Sequence, residues 1–284
     1  MHLQPSYQNR GPCGKKGYRR CPVGTERQLN RRRAVWTASY VYLAYVFLGE
    51  APVLSKLPAF SLTGAFVVLV VLYLASSYVS WGAGRATRFI LCASLVSYAM
   101  EFVGVETGAP FGHYSYTHAM GPMLGPVPLA IPFIWAALGY FCLEAAGPSV
   151  LAPALLMTVL DVSFDPLFSV NLWRWAATPG PHYFGVPVVN FVGWFLTSVL
   201  IFAVFRLAGG RGGRSARELV CSRGSREAVA FYLLFGMTNV VYLLESSLGE
   251  AALVSAALYA VLAAALWSRA PRAGGAPMEP TSLS

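Results

Sequence analysis

Apolar residues run along this chain in long stretches, broken by short polar or Gly- and Pro-rich interruptions. No stretch alternates with the two-residue period of a half-buried strand, so the pattern reads as helix. A helix that crosses a bilayer needs about 17–25 such residues. Eight candidates occur: Ala34 to Leu48 (short), Phe60 to Ser80, Thr87 to Val105, Val127 to Ala146, Ser149 to Phe168, Pro187 to Leu207, Ala228 to Ser247 and Ala251 to Trp267. The expected fold class is all-α, a polytopic integral membrane bundle of about eight transmembrane helices.

Composition agrees. Of 284 residues 56% are apolar and only 12% charged, against about 25% charged in soluble domains. A water-soluble domain, a disordered chain and a nucleic-acid-binding module are therefore excluded. The net charge of +9 reflects topology. With the N-terminus inside and all eight stretches crossing, the inner loops and tails hold every Lys and Arg except Lys56 and Arg174. Positive segments stay cytoplasmic, so both termini are expected in the cytoplasm, in a multi-pass protein of the cell membrane facing anionic lipid. Residues 1–33 are expected to form a basic, disordered tail and 34–268 the transmembrane domain. Within that domain 208–227 reads as an Arg- and Gly-rich cytoplasmic linker, and 269–284 as a second disordered tail. The basic start is too long for a signal peptide and lacks a small-residue cleavage site. The five cysteines are scattered, without disulfide or zinc spacing. No internal repeat is apparent.

Polar residues inside the apolar stretches carry the chemistry. A carboxylate at mid-bilayer costs about 2.5–3.5 kcal/mol and marks a functional site by default. The only two aspartates, Asp161 and Asp165, lie four residues apart in the fifth stretch and share a helix face with Thr158. The third stretch has a similar stripe of Ser94, Ser97, Tyr98 and Glu101. The sixth has Asn190, Trp194 and Thr197, and the seventh Thr238, Tyr242 and Glu245 with Asn239 beside them. Under the topology above they lie at similar depth in the outer half, which predicts one polar pocket open to that side.

Two loops on the same side are rich in Gly, Pro and aromatics: Glu106 to Tyr116, and Asn171 to Trp175 followed by Pro181 to Pro187. They can fold back as a lid or serve as an interfacial aromatic belt. His113, His118 and His182 beside Glu106 would make a metal site only if the loops converged. No His pair has helical ligand spacing, so no metal is expected.

The run Glu106 to Tyr116, the stretch Gly125 to Trp135, the Asp165-Pro166 step, Trp173-Arg174-Trp175 and the run Tyr183 to Trp194 resemble the CruF-type carotenoid biosynthesis proteins. These are integral membrane carotenoid hydratases that include the bisanhydrobacterioruberin hydratases. The resemblance covers Tyr98 to Trp194 strongly and the remaining stretches by hydropathy. It implies addition of water to a terminal isoprenoid double bond of an acyclic carotenoid, giving a tertiary alcohol, with membrane lipid and other membrane enzymes of the pathway as neighbours. It does not name catalytic residues.

Those come from the chemistry. Protonation of the less substituted alkene carbon forms a tertiary cation, which water captures. The site must hold an un-ionised acid in a dry place. Asp161 and Asp165 fit as a pair sharing one proton. Glu101, or Glu106 at the mouth, would orient the water and take its proton. Aromatic faces shield cations: Tyr98, Tyr114, Tyr116, Trp173, Trp175 and Trp194 are expected to line the substrate site, with Asn190 and Asn239 as polar contacts. No cofactor is expected, there being no Gly-rich phosphate loop.

Other readings use the same residues. A cyclase or isomerase would share the cation. Asp161 to Asp165 looks like half of a prenyltransferase's diphosphate site, but no third aspartate exists to complete it. A transporter or lipid-binding protein could use intramembrane carboxylates for proton relay, though inverted repeats and paired broken helices of the transporter kind are not apparent.

Overall fold

The computed structural model describes residues 26–49, 62–147, 149–169, 171–209 and 226–268. Eight α-helices dominate these residues: α1 (Glu26–Gly49), α2 (Leu62–Trp81), α3 (Ala83–Thr107), α4 (Ala130–Ala146), α5 (Leu151–Phe168), α6 (Val188–Ala208), α7 (Arg226–Glu245) and α8 (Gly249–Trp267). They follow the eight apolar stretches in order. Most of the expected N-terminal tail, nearly all of the Arg- and Gly-rich linker and the C-terminal tail lie outside the described residues.

The starts of α1, α4 and α6 depart from the apolar pattern for reasons the sequence explains. Helix α1 begins at Glu26, upstream of the apolar run, because Glu26 to Arg33 contains the good helix formers Glu, Arg, Gln and Leu. Helices α4 and α6 begin after Pro128 and Pro187. In each case the preceding Val-Pro pair is a short strand rather than helix. A residue before proline is pushed into extended conformation, and proline has no N–H to donate.

Among the described residues α3, α5, α6, α7 and α8 are long and apolar enough to cross a membrane. The apolar parts of α2 (Phe66–Trp81) and α4 are shorter. Large apolar side chains point outward at four-residue spacing: Val67 and Val71 on α2, Leu91 and Leu95 on α3, Leu151 and Leu155 on α5, Val192, Leu196 and Leu200 on α6. Such faces in water would be a liability; in lipid they are the solvated surface. The fold is consistent with a helical membrane protein.

Helices α3, α4, α5 and α6 form the central ring. Helix α3 packs on α4 and α6, and α5 packs on the same two from the other side. Helix α2 closes against α3 and α4, while α7 lies on α4 and α5 and carries α1 and α8 on its outer side.

Six short strands cap one end of this ring. Strand β1 (Tyr114–Tyr116) follows α3, and β4 (Trp173–Trp175) follows α5. They pair antiparallel, with Tyr114 opposite Trp175, Ser115 opposite Arg174 and Tyr116 opposite Trp173. Two tight hairpins precede α4 and α6: β2 (Met123–Leu124) with β3 (Val127–Pro128), and β5 (His182–Tyr183) with β6 (Val186–Pro187). Their two-residue loops need positive φ, which Gly125 supplies in the first, and Phe184 and Gly185 in the second.

Candidate active site

The C-terminal halves of α3 and α5 and the N-terminal turns of α4 and α6 reach the capped end together. Each brings a polar residue. Glu101, six residues before the end of α3, is buried. Its Oε2 accepts the hydroxyls of Tyr114 (2.5 Å) and Tyr116 (2.7 Å), and its Oε1 accepts the indole N–H of Trp135 on α4 (2.8 Å). Burial, reinforced by Glu101 alongside, pushes both phenols well above the ordinary tyrosine range, so they remain O–H donors.

Asp165 on α5 is held in the same manner. Its Oδ1 accepts the indole N–H groups of Trp173 (2.7 Å) and Trp175 (3.2 Å), and its Oδ2 accepts the amide of Asn190 on α6 (2.6 Å). The Asn190 amide also donates to Asp161 Oδ2 at 2.7 Å. Asp161 Oδ1 is buried and has no hydrogen-bond partner among the described residues. An indole or side-chain amide N–H can only donate. Asp165 therefore accepts three N–H bonds, and Asp161 accepts one.

The strand pair β1–β4 organises this. Alternate residues of a strand point to one face, so Tyr114, Tyr116, Trp173 and Trp175 all turn inward while Ser115 and Arg174 are exposed. The two tyrosines serve Glu101 and the two tryptophans serve Asp165. Beneath the pair lies a cavity in which the centre of a water molecule can move through about 50 Å³. Glu101, Asp165 and Asn190 provide its polar wall. The four strand aromatics, Trp135, Trp194, Phe66, Phe111 and Phe164 provide rings, with Met120 and the α4 aliphatics Ile131, Ile134 and Leu138 completing the lining. Trp135 and Trp194 stack with centroids 4.1 Å apart. The α3 and α6 backbones approach Phe111 closely: a Cβ at Gly104 would stand 2.7 Å from its ring and 2.9 Å from the Tyr114 hydroxyl.

The structure thus gathers Glu101, Asp165, Tyr114, Tyr116, Trp173, Trp175, Asn190 and Trp194 around one cavity, with Asp161 one hydrogen bond behind it. Three expected contributors lie elsewhere. Glu106 is exposed near the end of α3, because five residues carry it about 140° around the helix from Glu101. Tyr98 packs its ring on Phe102 and donates to the Leu124 carbonyl, tying down the first hairpin from outside. Asn239 donates to Ser163 Oγ at 3.1 Å, and Ser163 also bonds Tyr259 at 2.8 Å. Ser163 lies on the opposite face of α5 from Asp165, so the α7 stripe meets the back of that helix; Glu245 is exposed. His113, His118 and His182 are exposed as well. Among the described residues no three His, Cys, Asp or Glu side chains cluster as metal ligands do.

Sequence reasoning left Trp135, Phe111 and Phe164 unassigned. Trp135 had a signal: a tryptophan stands seven residues after the proline in both Val127-Pro128 and Val186-Pro187.

Fold and site together define a helical membrane protein with two donor-bound carboxylates in a small aromatic cavity. Residues 57–266 match the family model of the carotenoid biosynthesis protein, and the chain belongs to that family. It is 33% identical over 187 residues to the bisanhydrobacterioruberin hydratase of Haloarcula japonica, a match covering 61% of this chain and 63% of that protein, less than two thirds of its length. No solved structure matches the chain.

Proposed function

We propose that the protein is a carotenoid hydratase that adds water to a terminal double bond of an acyclic carotenoid. One observation carries this reading: two carboxylates from different helices face the same aromatic-walled cavity, each gripped by three donors. Alkene hydration needs a proton donor and a proton acceptor on either side of a cation, and a carboxyl pair with aromatic rings between them provides both.

Asp165 transfers its proton to the less substituted carbon of the double bond, whose π electrons form the new C–H bond. The positive charge left on the tertiary carbon is surrounded by the Trp173, Trp175, Trp135 and Trp194 rings. A water oxygen bonds to that carbon, and Glu101 takes the proton it sheds. Glu101 then releases its proton to water and Asp165 regains one, so alkene and water become one tertiary alcohol. The cavity has room for the tip of a polyene and a water, while the polyene body lies between helices in lipid. All eight helices cross the cell membrane with both termini in the cytoplasm, which sets the cavity in the outer half. The basic residues flanking α1 and α3 support that direction.

The test is expression of the full chain in cells that make lycopene, which has a trisubstituted double bond at each end. Pigments heavier by one or two waters are expected. Lycopene unchanged in mass, with the protein inserted, overturns the reading.

A further inference from the structure

The cavity is built from one unit used twice. Helix α3, strand β1, hairpin β2–β3 and helix α4 are followed by helix α5, strand β4, hairpin β5–β6 and helix α6. Between Tyr114 and Trp135 the strand, the hairpin and the start of the helix have counterparts numbered 59 higher, from Trp173 to Trp194, while the 3-10 turn His118–Met120 belongs to the first unit alone. Strand aromatics Tyr114 and Tyr116 correspond to Trp173 and Trp175. Gly121-Pro122 corresponds to Gly180-Pro181, with positive φ at both glycines (89° and 110°). Val127-Pro128 corresponds to Val186-Pro187, and Trp135 to Trp194. The main chain repeats too: Leu129 N–H donates to Pro122 O at 2.9 Å, and Val188 N–H to Pro181 O at 3.0 Å. An antiparallel strand pair has a local twofold axis, and here it passes between Ser115 and Arg174. The Trp135–Trp194 stack joins the same two units. Identity between them survives at Gly-Pro, Val-Pro and the tryptophan, too sparsely for the repeat to stand out along the chain.

Glu101 and Asp165 hold like places in their units, here 64 residues apart because the segment from Glu101 to Tyr114 is five residues longer than that from Asp165 to Trp173. Each accepts two donors from the aromatic strand of its own unit and one from its own second helix, Trp135 for Glu101 and Asn190 for Asp165. Trp194, the counterpart of Trp135, bonds neither carboxylate, and two further differences lie beside Asp165. Four residues before Asp165 is Asp161, where the first unit has Ser97; at Asn190 the first unit has Ile131. Both differences lie in the second unit and are bonded to each other.

We propose that the two half-sites divided the reaction between them. Asp161 stores a proton and passes it to Asp165 while Asn190 holds the two carboxyl groups in place; both are positioning residues that make the second unit the proton-donating half, and Glu101 remains the accepting half. This rests on the hydratase reading and adds to it a proton store and an internal pair of half-sites. Asp161 accepts one donor against three on Asp165, and its unpartnered Oδ1 is open to hold a proton. The Asn190 amide fixes both carboxyl groups by one hydrogen each. After Asp165 protonates the alkene, the proton on Asp161 moves to Asp165, and water in the cavity reprotonates the pair through Asp165, the member that lines it.

The experiment uses membranes holding the full chain and lycopene, incubated in deuterated water. Protonation is reversible, so a working donor half introduces deuterium into recovered, unhydrated lycopene even when water capture fails. Glu101→Gln is expected to stop hydration and keep the labelling. Asp161→Asn, which preserves shape and the bond from Asn190, is expected to lose both by about a hundredfold per inserted protein. Asn190→Ile, which copies the first unit, is expected to fall with it. Wild-type labelling in Asp161→Asn, or loss of labelling in Glu101→Gln, overturns the division of roles. A purely structural Asp161 would leave Asp161→Asn active. Labelling without added water in the wild-type chain would defeat the hydratase reading alone, since the labelling pattern of the variants still reports which half donates. Neither label nor water defeats both.

Discussion

Trp135 and Trp194 stack with planes 26° from parallel, yet only the Trp135 indole N–H bonds a carboxylate. The two rings share a wall and differ in what they do for it. Trp135→Phe removes a donor from a buried carboxylate, a loss of about 1.5–3 kcal/mol, or about ten- to a hundredfold in rate if the bond tightens in the reaction. Trp194→Phe keeps a ring in the stack and is expected to cost far less. Product formed per inserted protein, measured for both variants in lycopene-producing cells, checks the difference.

Asp165→Asn leaves one oxygen to accept two indoles and places an NH₂ against the donating amide of Asn190. Turnover is expected to fall below detection while the protein still inserts. Normal turnover in this variant removes Asp165 from the chemistry.

Tyr114 and Tyr116 both donate to one oxygen of Glu101. Tyr114→Phe and Tyr116→Phe are each expected to lower hydration by about tenfold. The double variant should depart from the product of the singles, because groups in one network couple. A rate series over the four proteins measures that coupling.

Gly104 leaves no room for a methyl group between α3, Phe111 and the Tyr114 hydroxyl. Gly104→Ala is expected to destabilise the fold by about 1–3 kcal/mol and to lower activity by moving Tyr114. Thermal unfolding of the detergent-extracted protein reads the first effect, and product yield the second.

Glu106 and Tyr98 face away from the cavity. Glu106→Gln should match wild type in product yield. Asn239→Ala should lower the unfolding temperature through the Ser163–Tyr259 cluster, with turnover changed only in proportion to folded protein.

The helices were legible because a bilayer demands long apolar runs, and the carboxylates because such runs make them conspicuous. Asp161, Asp165, Asn190 and Glu101 converge as the stripes implied. The strands were not legible: two or three residues are too few to show alternation. Without them, the pairing of Tyr114 and Tyr116 with Trp173 and Trp175 could not be foreseen. The α7 stripe misled for a geometric reason. A polar face announces a polar neighbour without saying which side of α5 it meets, and Asn239 found Ser163 instead of Asp165. Trp135 went unassigned because a tryptophan in an apolar helix looks like packing until its N–H has an acceptor.

The yoke formed by β1 and β4 ties the two carboxylates to a single element. Lifting it would strip the tyrosines from Glu101 and the indoles from Asp165 in the same motion. An open roof and an armed pair of acids therefore exclude each other. On the hydratase reading, a polyene entering sideways between helices would leave the latch shut.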